Sequence, residues 1–108
     1  MTRFDSDMAV VDFLHEQGFR LHSTGGGFEA WFYSCEFAQG GRWHVSVTNY
    51  EQNGDIYRAQ PLTVALEAPD GTVRTTLEIP NAESLPASIE QLRKEGQEAF
   101  GTAAGNGW

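Results

Sequence analysis

From Phe19 to Ile79 the apolar residues recur at every second position. Four glycine-bearing stretches interrupt them: "GGG" at 25–27, "QGG" at 39–41, "NG" at 53–54 and "DG" at 70–71. A period of two belongs to strands, and glycine supplies the positive φ that tight hairpin turns require. Four reversals between five such runs predict an antiparallel meander, since parallel strands need a long crossover.

Loop length decides which residues face one another, and the apolar set must share one face. A three-residue loop of Gly25, Gly26 and Gly27 sets Leu21 beside Trp31 and Phe19 beside Tyr33. A three-residue loop of Gln39, Gly40 and Gly41 pairs Phe37 with Trp43, Cys35 with Val45 and Tyr33 with Val47. A two-residue Asn53-Gly54 turn brings Val45 beside Leu62 and Trp43 beside Val64. A two-residue Asp70-Gly71 turn pairs Leu66 with Thr75, Val64 with Leu77 and Leu62 with Ile79, and sets Glu67 opposite Arg74 on the other face. Pro61 cannot donate to a ladder and predicts a bulge or break in "RAQPL".

A helix is expected at each end. In the first, Asp5 or Ser6 caps, Asp7 occupies the first turn, Gly18 stops the helix, and Val10, Val11, Phe13 and Leu14 form the apolar side. In the second, Pro86 suits the first turn, Asn81 or Ser84 caps, and Leu85, Ile89, Leu92, Gly96 and Ala99/Phe100 recur at helical spacing. The expected fold is therefore α+β, a two-layer sandwich of order α-β-β-β-β-β-α. Its meander sheet carries both helices on one face and leaves the other open. Residues 1–100 make a single domain and residues 101–108 a flexible tail.

Composition narrows the function. Net charge is −8, with seven Lys and Arg against fifteen Asp and Glu. Direct binding to a phosphate backbone needs a basic footprint that this chain lacks, and anionic membranes would repel it. A partner with a basic groove would attract it. No apolar run approaches the ~18 residues of a membrane span, and "MTRFDSDMAV" has no apolar core of a signal peptide. The single cysteine, Cys35, excludes an internal disulfide and suits a cytoplasmic location; by parity it faces the core as a buried thiol. His15, His22 and His44 fall on separate elements without ligand spacing, so no metal is expected. No nucleotide, hydrolase or calcium motif is present, so neither a cofactor nor a catalytic residue is assigned. The glycine triplet precedes a strand, whereas phosphate loops use the N-terminus of a following helix, so it is read as a turn.

The open face carries the candidate binding residues. The registers above predict one lateral row of Glu36, His44, Thr63 and Glu78, and another of Ala30, Tyr50 and Tyr57 with Phe32 and Thr48 beside it. Phe32, Tyr50 and Tyr57 on a solvated face are suited to anchoring a protein partner. Base-stacking sheets combine such aromatics with Lys and Arg, which here are scattered among acids. A carboxylate–histidine–carboxylate row also invites acid–base chemistry, but a flat solvated sheet excludes no water.

"GFRLHSTGGGFEAW" resembles a pattern of small phage and prophage proteins: a short helix, "GF", a strand, then "TGGG" leading into an aromatic strand. The resemblance covers residues 11–35, and at Phe28 this chain departs from a cysteine that often follows the glycines. It implies a mobile-element accessory protein that acts on a host system, and it carries over no catalytic residue. The expected function is a non-enzymatic protein-binding module, phage-encoded, inhibiting a host nucleic-acid-handling system of the CRISPR type. The alternatives are a toxin-immunity or chaperone-like binding protein, and an enzyme centred on Glu36, His44 and Glu78. A homodimer through the open face is compatible with all three.

Overall fold

The computed structural model describes residues 4–37, 41–49, 51 and 53–101. Helix α1 (Asp7–Glu16) begins where the Ser6 hydroxyl accepts from the Ala9 N–H at 3.1 Å. It ends at Gly18, whose φ of 91° lets the N–H groups of Gly18 and Phe19 turn back to the carbonyls of His15 and Leu14. Val10, Phe13 and Leu14 are buried. At the other end Asn81 caps a short 3₁₀ turn (Ala82–Ser84), which leads into α2 (Leu85–Phe100) with Pro86 in its first turn. Leu85, Ile89, Leu92 and Gly96 are buried at the expected spacing, and Ser88 joins them, whereas Ala99 is exposed.

Between the helices lie β1 (Arg20–Gly25), β2 (Phe28–Phe37), β3 (Gly41–Asn49), β4 (Leu62–Glu67) and β5 (Val73–Ile79). They pair antiparallel in sequence order, as the meander predicts. In the first hairpin Leu21 lies opposite Trp31 as expected. The turn differs: Gly25 pairs with Phe28, and a register shift between Ser23 and Gly25 takes up the odd residue. The last hairpin keeps Leu62 with Ile79, Val64 with Leu77 and Leu66 with Thr75. A shift at Glu67 pairs it with Val73 instead of Arg74, and the Arg74 guanidinium reaches Glu95 of α2 at 3.1 Å.

Two registers differ from the sequence expectation. Cys35 pairs with Trp43 and Tyr33 with Val45, a slide of two positions. Val45 pairs with Leu66 and Val47 with Val64, a slide of four, so Val45 is not beside Leu62, nor Trp43 beside Val64. Both slides are even, so every side chain keeps its face. The larger slide arises because Asn53-Gly54 is not a hairpin turn. Strand β3 stops at Asn49 and β4 starts after Pro61, at the predicted break. The intervening chain packs on the helical side of the sheet. Asn53 bridges to Glu29, the Gly54 carbonyl accepts from Trp31 Nε1 at 2.9 Å, and Ile56 is buried. Arg58 ties the segment to α1, its N–H donating to the Asp7 carboxylate at 2.8 Å.

The core lies between sheet and helices. Trp43, Phe19, Leu14, Leu66 and Ile89 are fully buried there, each contributing about 1.5–3 kcal/mol by leaving water. Cys35, 1% exposed, sits in this layer as parity predicts. Trp43 is fixed by its Nε1–H, which donates to the Gly101 carbonyl at 2.9 Å, and by the Phe100 ring, 6.2 Å away between centroids. The flexible tail expected at residues 101–108 lies outside the described residues apart from Gly101.

Candidate functional site: the open face of the sheet

Alternation in β1–β5 sends one side-chain set into the core and the other onto a face that no helix covers. The observed registers order that second set into rows across the strands. One row reads Arg20, Phe32, Ser46, Ala65, Thr76. The next holds His22 opposite Ala30, then Thr48, Thr63 and Glu78 in line. A third reads Ser34, His44, Glu67, with Glu36 and Arg42 opposite each other beyond it.

These rows rearrange the predicted site. Glu36 does not flank His44; its carboxylate takes Arg42 at 2.9 Å, an exposed pair worth about 0–1 kcal/mol. Thr63 and Glu78 are neighbours as expected, but in a different row from His44. Phe32 and Thr48 lie on the open face. Tyr57 does not: it belongs to the segment after β3, 43% exposed, with its hydroxyl 3.4 Å from the Asp55 carboxylate. Nearby acids, Asp55 foremost, then Glu51 and Asp7, hold its phenol above the usual range. Tyr50 lies outside the described residues. For Tyr57 the cause is the four-position slide between β3 and β4, since a true Asn53-Gly54 hairpin would have carried it into the sheet.

The side chains that the fold brings together around His44 are Ser34, Phe32, Glu67 and Arg42. Ser34 Oγ lies 2.8 Å from His44 Nδ1. The Phe32 ring stands edge-on to His44 at 6.1 Å and reaches His22 on its other side at 6.3 Å. Partial burial pushes the His44 pKa down; Glu67 opposes this, while Arg42 and His22 reinforce it. The imidazole is therefore neutral at pH 7 and can share a hydrogen bond with serine in either direction. Below these groups the floor is made of small residues, with Ala30, Ser46 and Ala65 only 2%, 6% and 9% exposed. Of the cluster, Phe32 and His44 were among the predicted site residues, and Ser34, Arg42, Glu67 and His22 were not. An even-numbered slide of the same apolar pattern would have brought Glu67 to His44.

Chemically the row places a serine, a histidine and a carboxylate side by side. The backbone N–H groups of β2–β4 are engaged in ladders, and the surface is open, so among the described residues no preorganised oxyanion donor accompanies them. Among the described residues no group of three or more His, Cys, Asp and Glu side chains is placed to hold a metal ion. A groove of about 480 Å³ lies on the opposite side between α1 and α2, lined by Phe13, Gln17, Glu90, Arg93 and Lys94. There Arg93 donates to Gln17 Oε1 at 2.6 Å and stacks over Tyr33, which fastens one helix to the other. Among the described residues no helix is long and apolar enough to cross a membrane.

Charge separates the two sides of the molecule. Residues 5–16 and 82–100, which carry the helices, hold eight acidic residues against two basic ones. The five strands hold four against three. The helical layer is thus strongly negative and the sheet nearly balanced. No protein-family model matches the chain, and neither does a curated protein or a solved structure.

Proposed function

We propose that this chain is a non-enzymatic protein-binding module of the cytoplasm, whose acidic helical layer engages a partner with a basic surface. The open sheet face, with Phe32, His44, Thr48 and Glu78, is its second contact surface. The observation that carries the reading is the segregation of charge. Three of these acids, Asp12, Glu16 and Glu98, also stand where helix physics disfavours them, whereas Asp7 occupies the favoured first turn of α1. Asp12 and Glu16 are four apart on one helix, Glu16 lies in the last turn of α1, and α2 has acids but no base in its last turn. Like charges at that spacing, and negative charge at a helix C-terminus, each cost a few tenths of a kcal/mol. A layer built against these preferences supports a role in recognition.

A nucleic-acid-handling protein offers the matching surface, because a groove that holds a phosphate backbone is basic. The resemblance of "GFRLHSTGGGFEAW" to phage and prophage proteins supports a host effector as that partner, with inhibition as the outcome. The experiment is capture from a cell lysate on immobilised protein, eluted with rising NaCl and repeated with D12N/E16Q/E98Q. The expected result is a basic protein that elutes as salt rises, is displaced by duplex DNA, and is lost with the triple variant. Capture that ignores both salt and the three substitutions would refute the proposal.

A further inference from the structure

We infer that the open sheet face is closed by a second copy of this chain, related by a two-fold axis running along β3 midway between the two sheets. The inference rests on reading that face as a contact surface and names its occupant. Rotation about such an axis preserves position along the strands and exchanges β1 with β5 and β2 with β4. Residues sharing a lateral row in one copy are then those that meet across the interface.

In the first row Phe32 meets Ala65 of the second copy, and Ser46 meets its own equivalent. A bulky aromatic side chain is thereby set over one of the smallest, in the bulky-into-small manner of packed sheets. In the second row His22 meets Glu78, beside a shallow depression of about 190 Å³ lined by Pro61, Thr63 and Glu78. In the third row His44 meets His44, and the lowered pKa that keeps it neutral at pH 7 removes a like-charge contact there. Charge on the face runs from Arg20 on β1, through the Glu36–Arg42 pair on β2 and β3, to Glu67 and Glu78 on β4 and β5. The axis along β3 brings these unlike ends together, whereas one across the strands would set β1 on β1 and β5 on β5.

Sheets in aligned packings cross at about 30°, which displaces facing residues by roughly 3 Å at β2 and β4 and roughly 5 Å at the edge strands. The Phe32–Ala65 match therefore carries the contact, and the longer charged side chains at the rim absorb the offset. Five strands ~4.8 Å apart and about six residues long give a face of roughly 24 by 20 Å, about 500 Å² per copy. The total of about 1,000 Å² stands at the lower bound of specific interfaces, so the dimer is a weak one.

Sedimentation velocity from about 5 to 500 µM tests it. The expected result is a mass rising with concentration from the 11.9 kDa monomer towards twice that value. Phe32→Glu and Ala65→Arg should each hold the chain monomeric throughout, with circular dichroism reporting the fold. Glu78→Lys should weaken association about tenfold, and adding His22→Glu should restore it. That reciprocal pair keeps the test sound if a central variant misfolds. A monomer at every concentration overturns the inference, as does a dimer indifferent to Phe32→Glu and Ala65→Arg. Capture of the basic partner by the monomeric Phe32→Glu variant upholds the acidic-layer reading separately. Loss of that capture in a chain that never self-associates assigns the face to the foreign partner and overturns the dimer.

Discussion

A Cβ on Gly96 would lie 2.3 Å from the Trp43 ring, well inside contact distance. Trp43 has no room to retreat, because its indole is fully buried, hydrogen-bonded to Gly101 and flanked by Phe100. Alanine in a helix interior gains about 1 kcal/mol over glycine, whereas overpacking a closed core costs about 1–3 kcal/mol. The contact is far shorter than a side chain tolerates, so the clash wins. Gly96→Ala should lower unfolding stability by about 2 kcal/mol in urea denaturation, and an unchanged or raised midpoint would refute this account. The helical repeat Leu85, Ile89, Leu92, Gly96 already placed this glycine on the core side. That it is a seat for a tryptophan from β3 depends on a contact between distant residues, which local periodicity does not encode.

The same limit explains what was readable among the elements. Apolar alternation fixes which face a residue takes: Trp31, Cys35, Trp43, Val45, Val47, Leu62, Val64, Leu66 and Ile79 are buried, and Tyr33 and Leu77 pack against them partly buried. It does not fix how far one strand slides along another by two or four residues, because each even slide buries the same set. Turn chemistry must supply that distance. At Asp70-Gly71 the expected register from Leu66 onward is recovered because the shift at Glu67 takes up one residue, and Asp70 braces the turn by accepting from both the Thr72 N–H and its hydroxyl. Asn53-Gly54 misled, since Asn49 overrides it. The Asn49 amide donates to Asn53 Oδ1 and to the Asp55 carbonyl, and its oxygen accepts from the Asn53 N–H. These bonds end β3 and turn the chain towards the helices, which takes Tyr57 off the open face. Asn49→Ala should leave the Asp55 carbonyl unmatched and cost about 2 kcal/mol. The loss should be local first, with faster proteolytic cleavage between residues 53 and 61. Wild-type cleavage rates together with a wild-type melting temperature would show that Asn49 does not govern this segment.

For the whole molecule the balance to be explained is a net charge of −8 held mostly on one layer. In a face-to-face dimer the two helical layers point outwards, so each copy keeps its acidic surface free while the nearly neutral sheets meet. Dimer formation and capture of a basic partner then make different demands on ionic strength. Repulsion within the helical layer is screened as the Debye length falls from about 30 Å at 0.01 M to about 3 Å at 1 M salt. Asp12, Glu16 and Glu98 are exposed, and among the described residues they form no ion pair. Replacing all three with amides should therefore raise stability by about 1 kcal/mol in urea at 0.01 M salt, from relieved like-charge and helix-dipole repulsion. At 1 M salt the gain should shrink to nearly nothing. The same triple variant is the one expected to lose the basic partner, so stability and binding should move in opposite directions. An amide variant that is no more stable at low salt would mean that the acids carry no strain, and the charged layer would lose its claim to be a recognition surface held at the expense of the fold.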